Sequence, residues 1–372
     1  MYLFPTLIAG LLLASAECVL GGSRLWEAKA PNKRTNLSLN YASIETLNTT
    51  SLLVRRALSI VDRSSDTSIL RIWPNRRVKY CFDDKNARIQ GLWESAIETW
   101  AQLKDAGFTY EEVSDSKCRL ERSSVLRIYY NSEGRLASTQ GILPVDTTAN
   151  PPMLGPFAHL SDKEGIGQDN VQANVAHELG HVWGLVHEHQ NPHYWKDDLG
   201  MSSGWNLALI NGADIRFHTS GFKCENLKDH DTSCARVQAK IDAATKAGDK
   251  NLKDELETDL ACLCVSAQAA GKHGFSALEW IPFAQTSNLV EDDNFDLDSL
   301  MMYPSGSGGH GLSNARSPVM VYKDRTLIPN HISPNAMDID CIISLYGNSG
   351  SLSTGTLHTS KGSSLRARFK NM

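Results

Sequence analysis

The chain has 372 residues, with 42 acidic and 37 basic side chains, a formal net charge of −5 and 41% hydrophobic residues. That balance excludes the clustered positive charge a nucleic-acid partner would require, and the length supports one sizeable domain with accessory segments. Residues 3–14 are almost wholly apolar and lead into Ala14-Ser15-Ala16, a small-residue cleavage pattern. Residues 1–16 are therefore expected to be a secretory signal peptide, too short to span a bilayer, although no Lys or Arg precedes the apolar run. No later stretch approaches a membrane span, and the polar C-terminal residues exclude a hydrophobic-tail lipid anchor. The expectation is a secreted, extracellular, soluble protein with no membrane partner. Its eight cysteines all lie beyond residue 16 and are then expected in disulfides rather than as thiols.

Residues 17–70 are rich in Ser, Asn, Thr and Leu, carry the dibasic pairs Lys33-Arg34 and Arg55-Arg56, and hold both glycosylation sequons, at Asn36 and Asn48. Paired basic residues suit an export-pathway processing protease, so this stretch reads as a removable segment; a solvated linker would have the same composition. The main domain is expected over residues 71–347. It opens at Ile72-Trp73-Pro74 and continues into a strand, Arg77-Val78-Lys79-Tyr80-Cys81-Phe82. Residues 87–106 follow as one amphipathic helix, with Ile89, Leu92, Trp93, Ala96, Ile97 and Trp100 on its core face and Gly107 ending it. Strands are predicted at 108–113 and 125–130, the second with Arg127 outward. A Gly/Pro-rich loop spans 141–156, and Phe157-Ala158-His159-Leu160 is a short candidate edge strand.

The next helix, predicted over 170–184, carries His177-Glu178-Leu179-Gly180-His181-Val182-Trp183-Gly184-Leu185-Val186-His187. Two histidines one turn apart share a helix face and can reach one metal ion. Gly184 lets the backbone leave the helix through a left-handed conformation, and the chain can then return with His187 as third ligand. Three imidazoles with one open position describe a catalytic zinc site rather than a structural one. Glu178, beside the ligands, is placed to contact a water and act as general base. Requiring Gly184 and His187 in addition to the short motif makes a chance match about four-hundred-fold rarer at this chain's frequencies of 27 Gly and 12 His.

Beyond the motif the chain reads His189-Gln190-Asn191-Pro192-His193. Residues 222–275 contain two charged helical stretches, 234–247 and 249–264, broken at Gly248, which suggests an αα-hairpin. Cys234 and Cys262 are equally far from Gly248, so a staple between them is the preferred pairing, with Cys224 to Cys264 as a second clasp; connectivity stays open at this level. The hairpin is read first as a surface decoration, and second as a shaper of the cleft or a partner site. Ser299-Leu300-Met301-Met302-Tyr303 follows, then a helical stretch within 333–347 bearing Asp338, Ile339, Ile342, Ile343 and Leu345. Residues 348–372, rich in Ser, Gly, Thr and basic residues, are expected to be a disordered tail.

The long zinc motif followed by a Met-containing turn is the metzincin signature. Within that clan, His187-Glu188-His189 and the S-x-M-x-Y pattern resemble the astacin family of zinc endopeptidases. The dibasic pairs and the His187-Glu188-His189-Gln190 run look most like its fungal secreted members. The Trp73-Pro74 opening is similar to the family's first strand. The resemblance implies an α+β, zincin-like fold of two subdomains: a mostly parallel twisted sheet with two long helices above, and below it a more irregular half. The lower half would carry His187 and the Met-turn, with the cleft between the halves and a C-terminal helix closing the domain. It also implies one Zn²⁺ per chain on His177, His181 and His187, with Glu178 as general base and then acid. Tyr303 would donate to the oxyanion, and Met301 would form an apolar floor beneath the ligands. Protein or peptide substrates would add to the strand at 157–160. A monomer made as a latent proenzyme, with 17–70 as propeptide, is expected. Glu188 matches a residue that can engage the trimmed N-terminus, but the Arg that accompanies it in the family is replaced by Asn191. The family's F-x-G-D propeptide context is missing, which leaves Asp62, Asp66 or Cys18 to block the metal. A non-catalytic binding protein on a protease scaffold, or a zinc hydrolase acting on other bonds, are the alternatives.

Overall fold

The computed structural model describes residues 20–21, 59–60, 71–83, 86–143, 145–146, 153–199, 214–282, 289–290 and 295–347. The expected signal peptide, the sequons, the dibasic pairs, Cys18, Asp62, Asp66 and the C-terminal tail lie outside these residues. Among the described residues there are twelve short strands, β1 Leu20–Gly21, β2 Ser59–Ile60, β3 Arg77–Phe82, β4 Thr109–Glu112, β5 Leu126–Tyr130, β6 Ala137–Thr139, β7 Val145–Asp146, β8 Met153–Leu154, β9 Phe157–Leu160, β10 Trp195–Lys196, β11 Phe217–His218 and β12 Leu289–Val290. Six of them form one sheet in the order β1-β6-β9-β5-β3-β4. From β4 to β9 every pairing is parallel, and the β9–β6 and β6–β1 pairings are antiparallel. Parallel neighbours need crossovers: α1 Ala87–Thr99 and α2 Gln102–Asp105 join β3 to its neighbour β4, α3 Asp115–Leu120 lies on the path from β4 back across β3 to β5, and the link from β5 to β9 passes through β6, β7 and β8.

The helix expected to run unbroken from 87 to 106 divides at Trp100. There the backbone N–H reaches the carbonyls of both Ala96 and Glu98, while the indole N–H donates to Ala176 O at 2.9 Å. Tertiary packing of one aromatic ring has overridden a continuous helical pattern. Trp93 and Trp100 are fully buried, as their spacing requires. Two features were not legible beforehand: α3, capped by Ser114, and the disulfide from Cys81 to Cys118 that fastens it to β3.

A second correction concerns the sheet's edge. The strand Phe157–Leu160 is not an edge strand; it lies between β5 and β6. The three-residue β6, in a stretch between Gly134 and Gly141, has too little pattern to show in the sequence, so β9 reads there as an edge. β6 covers β9, and β1 in turn pairs with β6 through Leu20↔Thr139 and Gly21↔Ser138.

Among the described residues there are two large hydrophobic cores, the upper one containing the apolar residues of the long motif, and a small third cluster around Cys81 and Cys118. The upper one joins the sheet, α1 and α4 Val171–Trp183 to the C-terminal helix, and includes Trp73, Trp93, Trp100, Trp183, Met301 and Tyr346. The lower one gathers Trp195, Phe217, Trp280, Met302 and Tyr303. The hairpin belongs to it. Helices α5 His230–Ala247 and α6 Lys250–Cys262, turned by Gly248 in left-handed conformation, bury Val237, Ile241, Ala244 and Leu256 in this core. The hairpin's inner face is therefore packed into the half carrying Tyr303, while most residues of Lys250–Cys262 stay exposed. The clasp Cys224–Cys264 forms. The preferred staple does not: Cys234 and Cys262 are half-buried thiols. Equal spacing from Gly248 matches the two cysteines in height along the hairpin but not in the direction they face, and Cys234 Sγ faces His230 Nε2 on its own helix at 3.7 Å.

After the short helix α7 Ala267–Lys272, the C-terminal helix α8 Ala336–Gly347 closes the domain. Its Asp338, completely buried, accepts from Ser299 Oγ at 2.7 Å, Leu300 N at 3.0 Å and Asn335 N at 3.1 Å, and so holds the turn that presents Met301. Burial, and next the charge of Asp296, push this carboxyl up to about 7 against the pull of those donors. The native state then binds this proton more tightly than the unfolded chain does. Its contribution is fully present below about pH 4, where both states are protonated, and is lost as pH rises to about 7. Relative to Asp338→Asn, the melting temperature of the parent should fall across that window by the equivalent of at most about 4 kcal/mol. Parallel melting profiles from pH 4 to 7 would reject this assignment.

Candidate metal centre and catalytic site

Helix α4 begins at Asn170, whose side chain accepts from Ala173 N at 2.9 Å. From Ala173 onward every residue of it is buried, so its histidines cannot be solvated. His177 and His181 project from the same face, with ring centroids 4.7 Å apart. Gly184 ends the helix with φ +107°, and a Cβ there would meet Leu345 Cδ2 at 2.9 Å and Ile60 Cγ1 at 3.0 Å. Only glycine satisfies both the torsion and the space. The chain then reverses and brings His187 back: His181 Nε2 lies 3.0 Å from His177 Nε2 and 3.1 Å from His187 Nε2.

The tautomers follow from the outer nitrogens. His177 Nδ1 is 2.8 Å from Leu300 O, His181 Nδ1 is 2.7 Å from Leu185 O, and His187 Nδ1 is 2.8 Å from Gln190 Oε1. The Gln190 amide is oriented by its own Nε2, which donates to the carbonyls of Leu278 at 3.1 Å and Ile281 at 3.0 Å. All three partners are acceptors, so each Nδ1 carries the proton and each Nε2 presents a lone pair. Burial holds His177 and His187 well below the usual imidazole range, and His181 down to about 3, so none is protonated near neutrality. Three lone-pair nitrogens thus crowd together, His181 Nε2 lying 3.0 and 3.1 Å from the other two and all three within 4.8 Å of one another. That arrangement repels itself unless a cation sits among them. Nitrogens on a tetrahedral zinc with arms of ~2.0–2.1 Å stand about 3.3 Å apart, so the donor set fits that ion. It is one of two such clusters among the described residues. The other, Cys224, His230 and Cys264, has its two sulfurs joined to each other.

Glu178 is wholly buried beside the triad. Ser138 Oγ, on β6, donates to its Oε2 at 2.6 Å, whereas Oε1 has no hydrogen-bond partner among the described residues. Burial pushes this carboxyl well above its usual range; the Ser138 hydrogen bond pulls it down and the charge of Glu279 pushes it up again. Met301 packs under the helix where Gly180 leaves room, since a Cβ on Gly180 would meet Met301 Sδ at 2.6 Å. The Tyr303 ring lies 4.2 Å from that of His187 and 5.7 Å from that of His177. Glu188 ties the loop down: its N–H donates to Met301 O at 3.3 Å and its Oε1 accepts from Asp296 N at 3.1 Å. Every expected site residue therefore meets in one place.

Sequence reasoning missed the second layer, namely Ser138, Gly180, Gln190, Asp338 and the segment ending at Trp280. A glycine in mid-helix was the available signal for Gly180. His189, which enters the sequence reading only through the family resemblance, is buried and stacked 4.7 Å from Tyr303. His159 stacks on Tyr129 at 4.8 Å and takes no part in the triad.

No protein-family model matches the chain, and none of the curated proteins matches it. Among solved structures it is similar to myroilysin, at 14% identity over 74% of this chain and 95% of that one, with a TM-score of 0.34. A second myroilysin structure gives 14% identity, 74% and 86% coverage, and a TM-score of 0.33. It is also similar to high choriolytic enzyme 1, a hatching enzyme zinc-protease from the medaka fish Oryzias latipes. There the identity is 12% over 77% of this chain and 98% of the other, with a TM-score of 0.39. Likenesses at this level add nothing to what the site's own geometry carries.

Proposed function

We propose that the chain is a zinc-dependent endopeptidase of astacin-like type, exported and made as a latent proenzyme. The observation that carries the metal is the convergence of three buried, neutral imidazoles, all with Nε2 lone pairs aimed at one point. One zinc ion per chain, held by His177, His181 and His187, would polarise a carbonyl and bring the pKa of a water toward neutrality. Glu178 takes the proton from the attacking water on Oε1, while Ser138 holds Oε2 and so fixes the carboxylate's rotamer. The same carboxyl later passes that proton to the departing amine. The Tyr303 hydroxyl donates to the oxyanion as it develops, and Met301 and Glu188 hold ligand loop and turn together.

Support for a polypeptide substrate comes from β6. Its inner edge pairs with β9 and its central residue touches Glu178, so an extended chain added at its outer edge runs beside the general base. Residues Leu20–Gly21, from the stretch expected to be removed, occupy that edge in antiparallel register. This is the observation that favours latency. Extracellular placement is supported by two disulfides. Among the described residues no helix is long and apolar enough to cross a membrane. A monomer without nucleic-acid or membrane partners remains the working expectation.

Secreted, processed protein should digest casein, lose that activity on chelation and regain it with added zinc. Zinc bound without cleavage of casein or any unfolded protein would reject the endopeptidase in favour of a binding protein or a hydrolase of other bonds. Tyr303→Phe should keep its zinc and lose on the order of 10²-fold in kcat, with KM little changed. A variant with parental kcat would remove the tyrosine from the mechanism.

A further inference from the structure

The stretch 17–70 is polar in composition, yet Ile60 within it has no exposed surface. Its N–H donates to Gly184 O at 2.9 Å, and Ser59 forms an antiparallel bridge with Leu185. The other edge of the same two residues pairs with Leu289 and Val290. These contacts fall on the turn between the second and third histidines. Leu185 O is the acceptor that sets the tautomer of His181, and His187 follows two residues later. The Ile60 side chain also fills two glycine turns together. A Cβ on Gly184 would meet Ile60 Cδ1 at 3.1 Å, and one on Gly141 would meet it at 2.8 Å. Both glycines have positive φ, and the Gly141 N–H donates to His181 O at 2.9 Å. One side chain therefore backs both glycine turns that donate to the His181 carbonyl. Without β2 the Gly184 carbonyl loses its donor, and without the Ile60 side chain the space between two turns that have no side chains of their own stands empty.

From this placement we infer that β2 is a permanent part of the mature enzyme, with Ile60 a positioning residue for the metal-ligand turn, and that maturation cuts the chain ahead of Ser59. The two N-terminal strands then have opposite fates. β1 lies on the edge an extended substrate would use and is removed; β2 lies behind the ligands and stays. Both dibasic pairs, Lys33-Arg34 and Arg55-Arg56, precede Ser59, so cutting at either preserves Ile60. The inference rests on the metal-centre reading above.

The test has two arms. N-terminal sequencing of the mature secreted protein should give a start after Gly21 and no later than Ser59; a start beyond Ser59, or one that keeps Leu20–Gly21, overturns the proposal. In the full chain, Ile60→Ala should release zinc to a competing chelator at least tenfold faster than the parent. Val78→Ala, an equally buried site of the same core on β3, should release it at the parental rate. Equal release from both variants overturns the positioning role and leaves Ile60 as ordinary core. If Ile60→Ala is not secreted, Ile60→Val is read against Val78→Ala in the same way, with a smaller acceleration expected and parental release again overturning the role. A parent that binds no zinc defeats the metal-centre reading and the positioning role together, whereas a zinc-binding parent with unaltered release in the Ile60 variants defeats the positioning role alone.

Discussion

Glu178→Gln should retain a full equivalent of zinc and lose about 10²–10⁴-fold in turnover, the range a positioned general base contributes. Glutamine matches the shape of glutamate, and Ser138 Oγ, which donates to the carboxylate at 2.6 Å, can donate equally to an amide oxygen. The side chain therefore keeps its place, and the three histidines, bound through their Nδ1 atoms to Leu300, Leu185 and Gln190, have no reason to move. What disappears is the oxygen without a hydrogen-bond partner, Oε1, replaced by an NH₂ that cannot accept a proton. Because Glu178 is wholly buried, bulk water cannot take over its task. Casein cleavage and metal content measured on the same preparations decide the matter. Parental activity would sink the assigned role, and loss of zinc would show that Glu178 serves the metal rather than the proton.

The long motif was legible because its information is local. A cap at Asn170, an i, i+4 pair of histidines and a glycine that permits positive φ specify a helix, its end and the return of the chain within eighteen residues. The opening strand, the first helix and the hairpin turn at Gly248 were visible for the same reason. What stayed hidden depends on residues far apart in sequence. Ser138 meets Glu178 across the sheet, Asp338 meets Ser299 from the C-terminal helix, and Cys81 finds Cys118 through a helix with no strong pattern. The mistaken edge strand has the same origin: β9 is recognisable, but the neighbour covering it has three residues.

The turn at Ser299–Tyr303 shows why two separate cores still make one site. Met301 is packed in the upper core against the metal helix, while Met302 and Tyr303 are packed in the lower core with Trp280 and the hairpin. Two consecutive residues thus cross from one half to the other directly beneath the histidines. Glu188, bonded to both Met301 O and Asp296 N, adds a second crossing next to the third ligand. Displacement of the halves would therefore disturb Tyr303 and His187 together. This coupling makes the arrangement of ligands a property of the whole domain.

His181→Ala should abolish both stoichiometric zinc and proteolysis. His181 is the middle member of the cluster, and its Nε2 is within 3.1 Å of each of the other two. Removing it leaves two protein ligands, short of the three that catalytic zinc sites use. Stability supplies an independent reading. A metal that binds only the native state raises stability by RT ln(1 + [L]/Kd), about 4 kcal/mol at a thousandfold excess over Kd, which is several degrees in a domain of this size. The parent's melting temperature should accordingly fall when a chelator is added, and that of His181→Ala should not respond. Chelator would also restore the mutual repulsion of three facing lone pairs in the parent, a cost the variant has lost with its imidazole, so the gap between the two proteins should narrow in chelator. A variant that keeps zinc and a chelator-sensitive melt would mean that the ion is held elsewhere, and the metal centre assigned to His177, His181 and His187 would have to be abandoned.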